Sequence, residues 1–291
     1  MAALVQIPRR VRPARARAAA DGPVAAAPAE PAALPRPEAS AAAGEPGLRE
    51  WIGVLAMGVG LFMAIMDVQI VTSSLSQIQG GLSASADEIA WVQTAYLIAD
   101  VVMVPMSGMM SRLLSTRVLF VAAALGFTGT SALCATATSL GQMIVFRAMQ
   151  GLCGGAITPT VWPVVYTKFR GRQLATVITI ISVILSLSST VGPTLGGFLT
   201  DTFSWNWLFL VNIVPGLLVA AVVWITIDID KPDFSLLRQF DVLGLLLMAI
   251  FLGCLQYALQ EGPAGIGSTI RRSEPRWRSR SSAAACFSGG R

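Results

Sequence analysis

The chain has 291 residues, 54% hydrophobic and 13% charged, with four cysteines, no histidine and a formal net charge of +5. So much apolar side chain exceeds what a soluble domain of this length could bury, which makes the bilayer its solvent. Without histidine there is no His general base and no Ser-His pair, so the commonest hydrolytic machinery is excluded.

Residues 1–50 are rich in Ala, Pro and Arg, lack apolar periodicity and read as a disordered cytoplasmic tail. Arg9-Arg10 is not followed by a short apolar core and a small-residue cleavage site, so an export signal does not fit. Seven runs then reach the ~20 apolar residues that a crossing needs. They are span 1 from Trp51 to Leu75, span 2 from Ile89 to Met110, span 3 from Val118 to Thr138 and span 4 from Leu140 to Tyr166. Span 5 follows from Leu174 to Leu199, span 6 from Trp207 to Ile227 and span 7 from Val242 to Leu259. The predicted organisation is a tail (1–50), a six-helix unit (51–227), a cytoplasmic loop with the seventh helix (228–262) and a disordered tail (263–291).

Three ionisable residues lie deep inside these runs: Asp67 in span 1, Asp100 in span 2 and Arg147 in span 4. An always-ionised guanidinium at membrane depth costs at least ~2.5 kcal/mol, so Arg147 is placed for a partner or a pathway. Span 5 contains Ser188, Gly192 and Gly196 at four-residue spacing, a stripe along which a neighbouring backbone can approach closely. Pro193 removes the amide that would bond the Ser189 carbonyl and bends the helix there. A bent, smooth helix can seal against its neighbour; a generic packing stripe gives the same pattern.

Positive charge sets the orientation. Seven of the 21 Lys and Arg precede Trp51, two lie between spans 2 and 3, three between spans 4 and 5, two between spans 6 and 7 and six after Leu259. The connections after spans 1, 3 and 5 have none, which places the N-terminus and the even-numbered connections in the cytoplasm. The seven-span count then puts the C-terminus outside, although the six Arg after Leu259 oppose this. Span 1 runs outward, with Asp67 ~24 Å along it, and span 4 runs inward, with Arg147 ~10 Å from its outer end. The two can meet. They form either an architectural ion pair or a proton site, because a carboxylate's hold on its proton depends on whether a cation stands beside it. Asp100 sits closer to the midplane.

Other chemistries find little support. Cys134, Cys153, Cys254 and Cys286 show no C-x-x-C spacing, which argues against a disulfide framework or a zinc site. Asp67 and Asp100 lack the Gly-x-Gly-Asp context of an intramembrane aspartyl protease, and the Gly-rich stretches lack a Gly-Lys-Ser/Thr phosphate cradle. The chain reads as no enzyme, with no cofactor, no metal and no nucleic-acid partner.

Four motifs together resemble the major facilitator superfamily, and within it the fourteen-span drug:proton antiporters of the EmrB/QacA type. Met66-Asp67-Val68-Gln69-Ile70-Val71 is similar to that group's Leu-Asp-x-Thr-Ile-Val, and Trp91-Val92-Gln93-Thr94-Ala95-Tyr96-Leu97 to its Trp-x-x-Thr-Ala-Tyr-Leu. Arg147-Ala148-Met149-Gln150-Gly151 matches Arg-x-x-Gln-Gly, and Gly192, Pro193, Gly196 and Gly197 match the antiporter motif with Ser188 in place of its first Gly. In the loop between spans 2 and 3 only Gly108 and Arg117 fit the superfamily pattern; Arg112 replaces its Asp and Ser115 replaces a Gly.

The resemblance implies an all-α integral membrane protein, a major-facilitator-type N-terminal six-helix lobe plus one additional spanning helix, in the bacterial inner membrane. It implies proton-coupled export of small hydrophobic or cationic compounds through a midplane cavity lined in part by spans 1, 2, 4 and 5. Asp67, Asp100 and Arg147 are then the proton-coupling candidates. Gly192, Pro193, Gly196 and Gly197 serve gating, Gly108, Arg112 and Arg117 form the cytoplasmic loop motif, and Gln150 and Gly151 complete the helix 4 motif. Partners are the lipid bilayer, protons, a small-molecule substrate and, as a further candidate, a periplasmic adaptor. A second lobe is absent from these 291 residues, which predicts a truncated transporter; a non-transporting fragment or membrane interaction partner is the alternative. One codon choice for Ala264–Ile270, read out of frame, yields the Asp-Trp-Phe-Asp segment typical of the group, so a frameshift near Pro263 is expected.

Overall fold

The computed structural model describes residues 46–228 and 242–273, with side chains for 46–228 and 243–260. The expectations for residues 1–45, 229–241 and 274–291, including the N-terminal tail and the last Arg residues, lie outside this range.

Nine helices and no strand occur among the described residues. They are α1 (Leu48–Ser73), α2 (Leu75–Leu82), α3 (Ala86–Leu114), α4 (Thr116–Ala135), α5 (Leu140–Lys168), α6 (Gly171–Thr202), α7 (Trp207–Leu210), α8 (Ile213–Thr226) and α9 (Val242–Ser273). Spans 1 to 5 correspond to α1, α3, α4, α5 and α6, span 6 to α7 with α8, and span 7 to α9. Polar residues set several of the starts. The Ser85 hydroxyl accepts from the Glu88 amide while the Glu88 carboxylate accepts from Ser85 N, which opens α3; Ser139 caps α5 by accepting from Gln142 N at 3.4 Å.

Six stretches are long and apolar enough to cross a membrane: α1, α3, α4, α6, Trp207–Thr226 and Leu243–Gln260. The expectation of seven spans includes α5, which falls short in apolar character only. Its 29 residues reach ~43 Å, enough to cross, and its polar groups Arg147, Gln150 and Thr160 are buried inside the bundle. A helix whose polar residues face protein reads as less apolar than its lipid-facing neighbours.

Three boundaries differ from the sequence expectation. Span 1 ends at Ser73, and an unanticipated amphipathic helix, α2, follows with Ile78 as its buried residue. Span 6 breaks at Val211 and Asn212 because Pro215 has no amide to offer the Val211 carbonyl. Helix α9 runs on past Gly262 to Ser273, where the sequence suggested an irregular tail. A single proline removes one bond of the ladder and leaves the rest.

Helix α5 packs against α3 and α4, α1 against α6 and α8, α4 against α8, and α9 against α3. Two of these crossings rest on glycine. A Cβ on Gly151 or Gly155 of α5 would collide with the carbonyl oxygens of Tyr96 and Asp100 on α3. On α6, a Cβ at Gly192 would sit 2.6 Å from Gln69 Cβ and one at Gly196 2.7 Å from Ser73 Oγ, both on α1. The small-residue stripe of span 5 is therefore the α1 contact face.

Two apolar clusters make the core. One gathers Met57, Leu61, Met63, Phe120, Phe127, Val161 and Val223; the other gathers Met66, Ile70, Ile89, Met143, Leu208 and Phe209. Asp67 falls where α1 passes from the first to the second. At the far end of the bundle, Arg49 Nη2 donates to the Ile225 carbonyl at 2.6 Å and Lys168 pairs with Glu50 at 3.1 Å. Arg117 donates to the Ile227 carbonyl at 3.4 Å and stacks 4.5 Å from the Trp224 ring centroid. These contacts gather the starts of α1 and α4 and the ends of α5 and α8, the end that loop charge assigns to the cytoplasm.

Candidate functional site

Asp67 of α1 and Arg147 of α5 meet in the closed interior, with Arg147 Nη1 2.6 Å from Asp67 Oδ2 and both side chains fully inaccessible to solvent. The pair is held by further polar groups. Arg147 Nη1 also donates to Gln150 Oε1 at 2.7 Å, Gln150 Nε2 donates to Asp67 Oδ1 at 3.3 Å, and Asn212 Nδ2 of α8 donates to the same oxygen at 2.8 Å. The Asp67 carboxylate thus accepts from three side chains on two other helices. The guanidinium carbon stands 4.1 Å from the centroid of the Tyr96 ring of α3 and 6.0 Å from that of Phe209. A charge-assisted hydrogen bond and a desolvated cation–π contact together offset part of the cost of burying both charges.

The network extends past the pair. Asn212 Nδ2 also reaches Ser131 Oγ of α4 at 3.3 Å, and Ser131 donates its hydroxyl to the Phe209 carbonyl at 2.9 Å. Cys134 Sγ lies 3.6 Å from Gln150 Oε1. Six helices contribute to this cluster: α1, α3, α4, α5, α7 and the N-cap of α8. Arg147 Nε and Nη2 and Asn212 Oδ1 make no hydrogen bond with the described residues.

The other residues singled out from sequence fall elsewhere. Asp100 lies on α3, half-buried, and makes no hydrogen bond or ion pair among the described residues; its carbonyl backs onto Gly155. Gly151 belongs to the α3 crossing and Gln150 to the ion-pair network. Gly192 and Gly196 face α1, Gly197 meets open space and Pro193 is exposed. Gly108 and Arg112 are exposed near the end of α3, whereas Arg117 reaches across to the end of α8. Ser115, standing where the superfamily pattern has Gly, adopts φ 79° and ψ 147° between α3 and α4. That backbone conformation suits glycine and strains a residue with a Cβ.

Sequence reasoning missed Asn212, Ser131 and Tyr96 as members of the site. Asn212 is a polar residue inside an apolar run, the same signal that exposes Arg147, and a scan limited to ionisable groups passes over it. Among the described residues no group of three or more Cys, Asp and Glu side chains could hold a metal ion.

A family model described as the Major Facilitator Superfamily matches residues 57–290. Among curated proteins, the colistin resistance protein EmrB of Acinetobacter baumannii is 45% identical over 217 residues, covering 75% of this chain and 42% of its own length. The multidrug transporter protein MdtP of Bacillus subtilis is 30% identical over 70% of this chain and 37% of its own length. The multidrug export protein EmrB of Haemophilus influenzae is 28% identical over 72% of this chain and 41% of its own. The chain thus spans about two fifths of the length of these curated relatives. A crystal structure of a bacterial homologue of the human lysosomal transporter Spinster, inward-facing and unoccupied, superposes with a TM-score of 0.50 at 17% identity, over 64% of this chain and 44% of that one.

Proposed function

Because this chain belongs to the major facilitator superfamily, and is a multi-pass protein of the bacterial inner membrane, we propose that it forms the proton-carrying lobe of a multidrug exporter, exchanging small hydrophobic or cationic compounds for protons. The observation that carries this reading is the Asp67–Arg147 pair, fully enclosed and shared between two helices that must move relative to neighbours if access alternates. While Asp67 is ionised the pair is neutral and joins α1 to α5. A proton on Asp67 leaves the guanidinium without a counter-ion in a closed core, an arrangement that favours any conformation giving Arg147 water or another partner. Protonation and conformation are then linked, and linkage works in both directions.

The substrate path runs along the open face of α6, where Ser182, Ser186, Ser189 and Thr190 are exposed. Ser186, Ser189 and Thr190 turn their hydroxyls onto carbonyls of their own helix, which leaves a smooth surface suited to varied apolar compounds. Asp100, half-buried and unpaired among the described residues, is the second carboxylate available to the cycle.

The test is export driven by an imposed proton gradient, with the 291-residue chain and with the same chain joined to the C-terminal half of the Acinetobacter relative. The Asp67→Asn, Arg147→Gln double variant is expected to insert and bind substrate while losing gradient-driven export. Retained gradient-driven export would return the pair to architecture. Loss of coupling in Asp100→Asn with coupling intact in Asp67→Asn would move the proton to α3.

A further inference from the structure

We propose that Asn212 is a positioning residue that reports the protonation state of Asp67 to the break between α7 and α8, an inference that rests on the reading of Asp67 as a proton carrier. The groups around Asp67 define the problem. From α5 come Arg147 and Gln150, from α3 the Tyr96 hydroxyl-bearing ring over the guanidinium, from α4 Ser131 and Cys134, and from α8's N-cap Asn212. Helix α6 meets α1 here through Gly192 and brings no titratable group, since its only ones are Arg172 and Asp201 near its two ends. Apart from Arg147, Asn212 makes the shortest contact with the carboxylate.

An asparagine amide can donate or accept at nearly the same point in space, depending on which way it is turned. In the ionised arrangement its Nδ2–H donates to Asp67 Oδ1 at 2.8 Å, while its own Oδ1 is buried and makes no hydrogen bond among the described residues. Asp67 Oδ2 holds the charged donor Arg147 Nη1 at 2.6 Å, whereas Oδ1 takes only the neutral amides of Asn212 at 2.8 Å and Gln150 at 3.3 Å, so an incoming proton settles on Oδ1. No other covalent bond forms or breaks, and the net charge of the site goes from zero to one positive. The new O–H then points at the amide N–H, donor against donor. A half-turn of the amide replaces this clash with an O–H to Asn212 Oδ1 hydrogen bond; the oxygen that moves had no partner to lose, while Nδ2 gives up Asp67 Oδ1 and Ser131 Oγ.

The turn does not end at Asp67. Asn212 Nδ2 lies 3.3 Å from Ser131 Oγ, so after the turn an acceptor oxygen faces that hydroxyl. Ser131 can give its hydrogen to that oxygen only by releasing the Phe209 carbonyl, which it holds at 2.9 Å. Phe209 O also takes the Asn212 amide at 3.2 Å, directly across the break that Pro215 opens. One proton on α1 therefore frees the Phe209 carbonyl, the acceptor of the Asn212 amide, from the α4 hydroxyl that anchors it, and so loosens the break between α7 and α8, two helices without a titratable side chain of their own.

The experiment combines two readouts on the full chain in lipid vesicles. Infrared difference spectra, assigned with Asp67→Asn, follow the carboxyl group, and hydrogen–deuterium exchange, corrected for intrinsic pH dependence, follows the amides of Val211 to Ile213. As the carboxylic acid band grows, exchange at the break is expected to accelerate about five- to tenfold, the factor carried by one hydrogen bond. Ser131→Ala and Asn212→Leu should each abolish that response while the band still titrates, and Ser131→Thr, which keeps a hydroxyl, should restore it. A titrating band with unchanged exchange in the wild type, or a response that survives in whichever of Ser131→Ala and Asn212→Leu folds, overturns the proposal and leaves the proton reading intact. A carboxyl that never titrates overturns both.

Discussion

Neutralising one member of the Asp67–Arg147 pair leaves the other charge in the core without a counter-ion, Asp67 facing amide donors or Arg147 facing the Gln150 carbonyl and aromatic rings. Asp67→Asn or Arg147→Gln is therefore expected to cost ~3 to 5 kcal/mol, and the double change to recover most of it. Thermal unfolding in detergent of the singles and the double measures this directly, and additive losses would mean that the pair is not a unit. Ser115 makes the opposite case. Its φ of 79° strains a residue with a Cβ, and its hydroxyl returns only a 3.4 Å hydrogen bond from Val118 N. Ser115→Gly is expected to stabilise the chain by about 1 kcal/mol, and a lowered melting temperature would show the cap to outweigh the strain. Both residues were visible in the sequence as departures: a charge in an apolar run, and a Ser where a family pattern has Gly. The φ angle that gives the second departure a meaning was not visible.

At the scale of the helices, glycines that look alike in sequence have different duties. Gly151 and Gly155 let the backbones of α3 and α5 touch, whereas a Cβ on Gly197, the last glycine of the antiporter motif, would meet nothing within 4 Å. Gly151→Ala is expected to destabilise by ~1 to 3 kcal/mol because a carbonyl cannot swing aside as a side-chain tip can. Gly197→Ala is expected to be neutral or to stabilise by ~0.5 to 1 kcal/mol through helix propensity. Chemical denaturation of the two variants in one detergent compares them, and equal losses would contradict the packing described. The stripe at Ser188, Gly192 and Gly196 was legible as a close-approach face from its four-residue spacing. Which helix it approaches was not, since spacing describes one helix and contact needs two.

For the molecule as a whole, loop charge and span number predict topology. A reporter fused after Gly262 is expected to be active only outside the cytoplasm, with one fused at Lys168 active inside. Cytoplasmic activity at Gly262 would contradict seven crossings and leave α5 or α9 as the helix that does not cross. The basic and acidic groups at one end of the bundle, Arg49 and Lys168 with Glu50, Arg117 beside Asp228, mark the end that this prediction assigns to the cytoplasm.

Composition and the length of apolar runs determined that this chain is helical and lives in a membrane, because bilayer thickness and backbone hydrogen bonding allow little else, while the placement of Lys and Arg predicts its direction of threading. Local chemistry also marked Asp67 and Arg147, since each is costly where it stands. What only the tertiary structure decided is who shares that cost. Asn212 and Ser131 lie 145 and 64 residues from Asp67 in sequence, and neither carries a charge to draw notice. They join the site because α8 packs beside α1 and α4 beside α5 and α8, and packing depends on how the faces of several helices fit together at once, which no single run of residues records.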